Sequence, residues 1–278
     1  MLASNAKVTQ FKVNMLSFLK SAVWPKSGFW TVTQPYQHTP VADVFGSLDK
    51  VFKLPGEQIT SDPLSKVYKV TAAGKVFYVK RYTGGGKGLR RYIGRSRVRA
   101  EWKNLLLFRR LGLPTANLVA YGEQKLFSMM LKGALITEGL ENTIDLSEVI
   151  EEYPNYLTDR NWLLSVIDQV AWATRVLHAY RFVHNDLKWR NILVSRDKAN
   201  PQIFLIDCPG GFRWFGPMLQ YRIVKDLACL DKLGKYHLSR TMRMRFYKLY
   251  RGNSLTHRLT SKDKQQIRQV LGFFEGRE

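Results

Sequence analysis

The chain has 278 residues, 45% apolar and 13% aromatic, which is enough to bury a sizeable core and too apolar for a disordered segment. Lys and Arg outnumber Asp and Glu by 44 to 22, and the resulting +22 points to an anionic partner: nucleic acid, anionic lipid headgroups or a phosphorylated substrate. Two cysteines, Cys208 and Cys229, form neither a disulfide framework nor a zinc pattern, and no apolar run reaches the roughly 18 residues of a membrane-spanning helix.

In chain order, the stretch from Phe11 to Trp30 mixes Met15, Leu16, Phe18, Leu19, Val23 and Trp24 with Lys12, Lys20 and Lys26. It lacks the clean apolar centre and small-residue cleavage site of a secretory signal, and it reads as a packed extension or an amphipathic surface anchor. Val51–Lys53, Ser65–Val70 and Lys75–Tyr82 read as strands, with Ala72-Ala73-Gly74 as a hairpin turn between the last two. After the irregular Thr83–Gly88 stretch a helix is predicted from Ser96 to Leu111, with Val98, Trp102 and Leu105 on one face. A strand pair follows at Leu118–Tyr121 and Ala134–Glu138. Asn142 to Asp159 is acidic and loop-like. Asn161 to Tyr180 is strongly periodic, with Leu163, Val166, Ile167, Val170 and Leu177 on one side, and is read as a helix. Short strands at Ile192–Val194 and Ile203–Ile206 flank a turn, and basic helices fill the rest. A strand-rich half joined near Gly139 to a helix-rich half predicts a bilobed α+β fold. The divisions are an N-terminal extension over 1–44, a small β-rich lobe over 45–138 and a helical lobe over 139–278.

The densest chemical signal is His184-Asn185-Asp186-Leu187-Lys188-Trp189-Arg190-Asn191, followed after two strands by Asp207. Transfer of a γ-phosphoryl group needs a carboxylate to orient and deprotonate the attacking hydroxyl, and oxygen ligands for magnesium. Asp186 supplies the first; Asn191 and Asp207 supply the second, at the H-x-D-L-x-x-x-N spacing of a kinase catalytic loop. Each residue alone could be a turn former or strand end; the spacing makes them a set. Lys80 ends an alternating strand where a kinase places its phosphate-binding lysine. Glu101, on the apolar helix face, needs a partner because an unpaired buried charge is costly, and Lys80 is the natural one. Lys188 lies within reach of a transferred phosphate.

These residues resemble the lipopolysaccharide core kinase family, the Kdo/WaaP-like group with a protein-kinase-like fold. The resemblance is carried by Val183–Val194, Leu205–Pro209, Ile223–Lys232, Phe77–Tyr82, Arg99–Trp102 and Ile136–Glu138, and covers roughly Phe45 to Gly252. It implies an enzyme that uses ATP and Mg2+ to phosphorylate a heptose or Kdo sugar of the lipid-anchored inner core, as a peripheral protein on the cytoplasmic face of the inner membrane. It also implies a hinge at Glu138 and Leu140 against the nucleotide, and a bracing role for Asp226. The sequence departs from standard kinases in three places. Asp207-Cys208-Pro209 replaces Asp-Phe-Gly. No Gly-x-Gly-x-x-Gly precedes Lys80, which leaves Ser61-Asp62-Pro63-Leu64-Ser65 as the phosphate-covering turn, with backbone amides and the Ser61 and Ser65 hydroxyls as donors. No Ala-Pro-Glu motif follows, which argues against a large protein substrate.

Between Lys75 and Arg110 there are 12 basic residues and one acid, Glu101. Lys87, Arg90, Arg91, Arg95, Arg97 and Arg99 are therefore expected to dock on an anionic membrane surface. No helix-turn-helix, RNP-like or zinc motif supports nucleic acid. A carrier or chaperone protein stands as a possible partner. Two alternatives remain beside the sugar-kinase reading: a kinase of another small molecule or antibiotic, and a nucleotide-binding scaffold without activity. The joint presence of Asp186, Asn191 and Asp207 argues against the scaffold, which needs none of them.

Overall fold

The computed structural model describes residues 26–84, 95–127 and 129–276. The first half of the chain builds a six-stranded antiparallel sheet in the order β1-β5-β6-β4-β3-β2. Its strands are β1 (Lys26–Val32), β2 (Glu57–Ser61), β3 (Ser65–Ala72), β4 (Lys75–Tyr82), β5 (Leu118–Leu126) and β6 (Met129–Glu138). β3 and β4 are joined through Ala73 and Gly74, with φ of 48° and 75°. Two successive positive φ values give a turn whose twist matches that of the flanking strands, which is why a glycine stands there. The register pairs Lys80 with Val67 on one side and Leu135 on the other, so the lysine rises from the middle of the sheet.

Two short helices, α1 (Pro40–Phe45) and α2 (Leu48–Lys53), close one face of this sheet. Phe45, Val51, Phe77, Val79 and Ile136 form the core between them. The expected strand at Val51–Lys53 is therefore a helical turn. Ser47 accepts a 3.2 Å hydrogen bond from the Lys50 amide as its N-cap, and Leu48 and Val51, three residues apart, both point into the core. β1 pairs along its length with β5, and the Trp30 indole donates to the Phe45 carbonyl at 2.7 Å. Within the expected 1–44 extension, residues 26–32 are thus a sheet strand and residues from Pro40 onward belong to α1. The remainder of the expected amphipathic stretch, through residue 25, lies outside the described residues.

On the other face lies α3 (Arg97–Arg110), capped by Ser96, whose hydroxyl accepts from the Arg99 amide at 3.1 Å. The helical lobe begins with β7 (Thr143–Asp145), α4 (Leu146–Glu152) and α5 (Asn155–Thr158), where the sequence suggested an acidic loop. The acids there act as helix starters: Asp145 accepts from the Ser147 and Glu148 amides, both at 2.8 Å. Asp159 caps the 20-residue α6 (Arg160–Ala179) in the same way. Then come β8 (Phe182–Val183), β9 (Ile192–Ser195), β10 (Ile203–Leu205), β11 (Phe212–Arg213), α7 (Gly216–His237), α8 (Arg240–Tyr250) and α9 (Ser261–Leu271). One apolar core runs without a break between the lobes, from Tyr82, Trp102 and Phe108 through Trp162, Leu177 and Phe182 to Leu187 and Ile192.

Candidate active site

The segment between β8 and β9 is a loop held from below. Asp226, on α7 and fully buried, accepts the His184 amide at 2.7 Å and the Asn185 amide at 2.9 Å. These bonds hold Asn185 at φ 66°, a left-handed conformation that asparagine tolerates, and turn the chain so that Asp186 faces the cleft. His184 is buried against Phe108 in a stacked arrangement with ring centroids 6.0 Å apart; burial pushes its imidazole pKa down. The Trp189 indole donates to the Leu230 carbonyl at 2.8 Å and anchors the far end of the loop on α7.

Within the loop the Asn191 amide group donates to the Asp186 carbonyl at 2.8 Å and to its carboxylate at 3.1 Å. That orientation leaves the Asn191 side-chain oxygen pointing away from Asp186. Lys188 stands 2.6 Å from the other Asp186 oxygen, and Arg190 lies 3.9 Å from the carboxylate. Burial alone would raise the Asp186 pKa, but the Lys188 hydrogen bond and charge, with Asn191 and Arg190, outweigh it and hold the carboxyl below the usual range. Asp186 is therefore an ionised acceptor at neutral pH.

The sheet lobe supplies the opposite wall. Lys80 is 3.1 Å from Glu101 and also pairs with Asp207, so one ammonium bridges the helix α3 and the loop after β10. Burial would lower the Lys80 pKa; the charges of Glu101 and Asp207 outweigh it and keep the ammonium protonated. Glu101 is buried and accepts a further hydrogen bond from the Tyr82 hydroxyl. Tyr82 was not singled out in the sequence, although its signal was present: two residues beyond Lys80 on a strand, it shares the lysine's face. Asp207 adopts φ 52°, which aims its carboxylate back into the cleft. A conformation strained for a non-glycine residue is expected where surrounding contacts over-determine a functional side chain.

Asn191 and Asp207 together present an amide oxygen and a carboxylate. Magnesium takes hard oxygen ligands, commonly one or two from protein with the rest from phosphates and water, so this pair fits it. The Cys208 that follows is fully buried, 3.7 Å from the His184 carbonyl, and burial pushes its thiol pKa far up; it is inert packing where kinases carry a phenylalanine.

The remaining expected residues are placed less simply. Glu138 lies at the end of β6, where the lobes join, but its carboxylate is engaged by Lys75 at 2.6 Å, Tyr36 at 2.8 Å and Asn117 at 3.0 Å. It pins the connection from outside. Leu140 follows, with its carbonyl accepting from the Thr143 hydroxyl at 2.8 Å. In the β2–β3 turn Ser61 is exposed, whereas Ser65 is buried and donates to Asp62 at 2.7 Å. Asp62 also accepts the Leu64 and Ser65 amides at 2.7 and 3.0 Å. The Leu64 and Ser65 donors are thus engaged by the turn's own Asp62 carboxylate in this arrangement. Of the basic cluster, Lys87, Arg90 and Arg91 lie outside the described residues. Arg99 turns inward to pair with the buried Glu123 at 2.6 Å, so it does not extend the basic surface.

Residues 62–266 match the model of the lipopolysaccharide kinase (Kdo/WaaP) family. A 3-deoxy-D-manno-octulosonic acid kinase of Actinobacillus succinogenes is 29% identical over 108 residues, and one of Mannheimia succiniciproducens is 30% identical over 109. Each alignment covers 39% of this chain and 42% of the relative, so less than half of those kinases is matched. Among solved structures, WaaP in complex with acyl carrier protein superposes with a TM-score of 0.66 at 20% identity, covering 89% of this chain and all of that one; at this identity the likeness concerns the fold. With the family model spanning most of its length, the chain belongs to the lipopolysaccharide kinase (Kdo/WaaP) family.

Proposed function

We propose that this protein is an ATP-dependent kinase that transfers the γ-phosphoryl group to a hydroxyl of a heptose or Kdo sugar in the lipopolysaccharide inner core. The observation that carries the reading is the convergence of Asp186, Asn191, Asp207 and the Lys80–Glu101 pair on one cleft in a chain of this family. In the reaction Asp186 orients the acceptor hydroxyl and takes its proton as the oxygen attacks phosphorus and the bond to the β-phosphate oxygen breaks. Lys188, already beside Asp186, is positioned to offset charge on the transferred group. Lys80, released from Asp207, would engage the nucleotide phosphates while Glu101 holds its side chain in place. Asn191 and Asp207 would hold magnesium, which neutralises phosphate charge when bound. The backbone at Glu138 and Leu140 borders the nucleotide base, and the turn from Ser61 to Ser65 covers the phosphates once its donors are freed from Asp62.

The acceptor class places the protein at the cytoplasmic face of the inner membrane, on an anionic surface; among the described residues no helix is long and apolar enough to cross it. A carrier protein is the second partner of this reading. The fold neighbour was solved with acyl carrier protein, and this chain has an apolar cavity of about 480 Å³ between α6, α7, α8 and α9, suited to an acyl chain.

The test is mass spectrometry of core oligosaccharide incubated with ATP, magnesium and either the wild type or Asp186→Asn. The substitution keeps shape but removes basicity, so phosphorylated sugar should appear with the wild type and fall by a factor on the order of 10²–10⁴ with the variant, while nucleotide affinity is retained. Near-normal turnover in the variant would sink the assignment of Asp186.

A further inference from the structure

A face of the helical lobe beside the catalytic loop combines exposed aromatic rings with guanidinium groups. Phe212 is 47% exposed, Phe215 58%, Met218 46% and Tyr221 45%, values far above those of a segment folded into a core. The Arg213 guanidinium lies 4.6 Å from the Tyr180 ring centroid and 5.8 Å from that of Phe215, and Arg181 lies 5.7 Å from Phe215. Arg222 sits 4.8 Å from the Trp214 ring, and Arg95 5.0 Å from Phe212. Stacking on rings fixes each guanidinium without neutralising it. Residues 169–185 and 208–225 contain no Asp or Glu, and among the described residues none of these four arginines makes an ion pair.

This face is tied to the catalytic loop. The Asn185 side chain donates to the Gly210 carbonyl at 2.7 Å and accepts from Arg222 at 3.4 Å, and the Trp214 amide donates to the Arg181 carbonyl at 3.0 Å. Asp186 is the next residue. Amphipathic rings with interleaved cations are the composition that sits at the level of lipid headgroups, and the absence of acids from residues 169–185 and 208–225 suits them to an anionic leaflet.

We propose that the face formed by Tyr180, Arg181, Arg213, Phe215, Met218 and Tyr221 lies on an anionic phospholipid bilayer and holds Asp186 at headgroup height. The proposal rests on the membrane partner of the preceding reading and centres it on the helical lobe, where it meets the Lys87–Arg99 cluster only at Arg95. The test uses the full chain and vesicles of phosphatidylglycerol with phosphatidylethanolamine, against vesicles of phosphatidylcholine alone. Two pairs of substitutions are compared, Phe215→Ser with Met218→Ser and Arg181→Glu with Arg213→Glu, each standing in for the other should one fail to fold by its melting curve. A control reverses the same number of charges on the sheet lobe, Lys53→Glu with Lys66→Glu, both exposed. The wild type should bind the anionic vesicles and not the neutral ones. Each patch variant should bind roughly tenfold more weakly, and the control within about twofold of wild type. Phosphorylation of a soluble core oligosaccharide should be unchanged in the patch variants. The proposal is overturned if the patch variants bind vesicles like the wild type, if the control weakens binding as much as they do, or if the patch instead governs binding of a single-stranded RNA probe. Failure of vesicle binding with soluble transfer intact removes this proposal alone; failure of transfer with vesicle binding intact removes only the sugar-kinase reading.

Discussion

Replacing Lys80 by methionine removes the cation that, among the described residues, pairs with Glu101. The lysine side chain is 17% exposed and that of Glu101 only 5%, so water compensates little of the loss. Removing one member of a buried ion pair costs about 3–5 kcal/mol, because the survivor keeps its desolvation penalty. Here the survivor would be left with the Tyr82 hydroxyl as its donor and with the Asp207 charge opposing it. Burial already raises the Glu101 pKa, and Lys80 is the main influence that lowers it, so in the variant the carboxyl pKa rises further. A folded-state pKa above the unfolded value means that stability is fully present below the unfolded pKa, near 4.5, and is lost as pH rises through the folded one. The difference in unfolding free energy between wild type and Lys80→Met, measured in urea, should therefore be small at pH 5 and grow to about 3 kcal/mol by pH 8. Adding Glu101→Gln should recover most of the loss, giving a coupling energy well above the roughly 0.3–0.5 kcal/mol scatter of independent sites. A pH-independent difference, or simple additivity of the two substitutions, would refute the pairing argument.

Asp207→Ala should weaken nucleotide binding in the presence of magnesium and flatten its dependence on magnesium concentration, read by calorimetric titration; an unchanged dependence makes Asp207 structural only. Activity should fall as pH drops through the depressed Asp186 pKa, and Lys188→Ala, which removes the strongest influence holding that pKa down, should move the acid limb of the rate profile to higher pH. Asp226→Asn keeps one acceptor oxygen for two backbone amides, so it should cost about 1–3 kcal/mol of stability and lower turnover without altering nucleotide affinity, measured by chemical denaturation and steady-state kinetics.

The catalytic loop was legible in the sequence because its chemistry is local: Asp186, Lys188 and Asn191 lie within six residues and their spacing is a template. The Lys80–Glu101 contact was legible for a different reason, since a carboxylate among Val98, Trp102 and Leu105 requires a partner. In the β2–β3 turn the composition showed the donors but not their engagement by the Asp62 carboxylate, which depends on how the turn closes. Val51–Lys53 and the acidic stretch after Asn142 were misjudged because short helices depend on capping by Ser47 and Asp145, which periodicity over so few residues does not register. Asn104 had a readable signal, being three residues beyond Glu101 on the same helix face, but its partners lie more than a hundred residues away.

That Asn104 contact bears on how the protein can be controlled. Its amide group donates to the Cys208 carbonyl at 2.7 Å and to the Gly211 carbonyl at 3.0 Å, across the boundary between the lobes. The helix that carries Glu101 is thereby fastened to the segment that carries Asp207, and Phe108 on the same helix packs against Phe182 with ring centroids 5.7 Å apart. Swinging this helix outward, a common way of disassembling a kinase site, would break both hydrogen bonds in a buried setting. The helix bearing Glu101 and the segment bearing Asp207 are consequently held side by side, even where Lys80 exchanges one partner for another. On the proposed kinase reading, control would then rest on access to the cleft rather than on displacement of this helix.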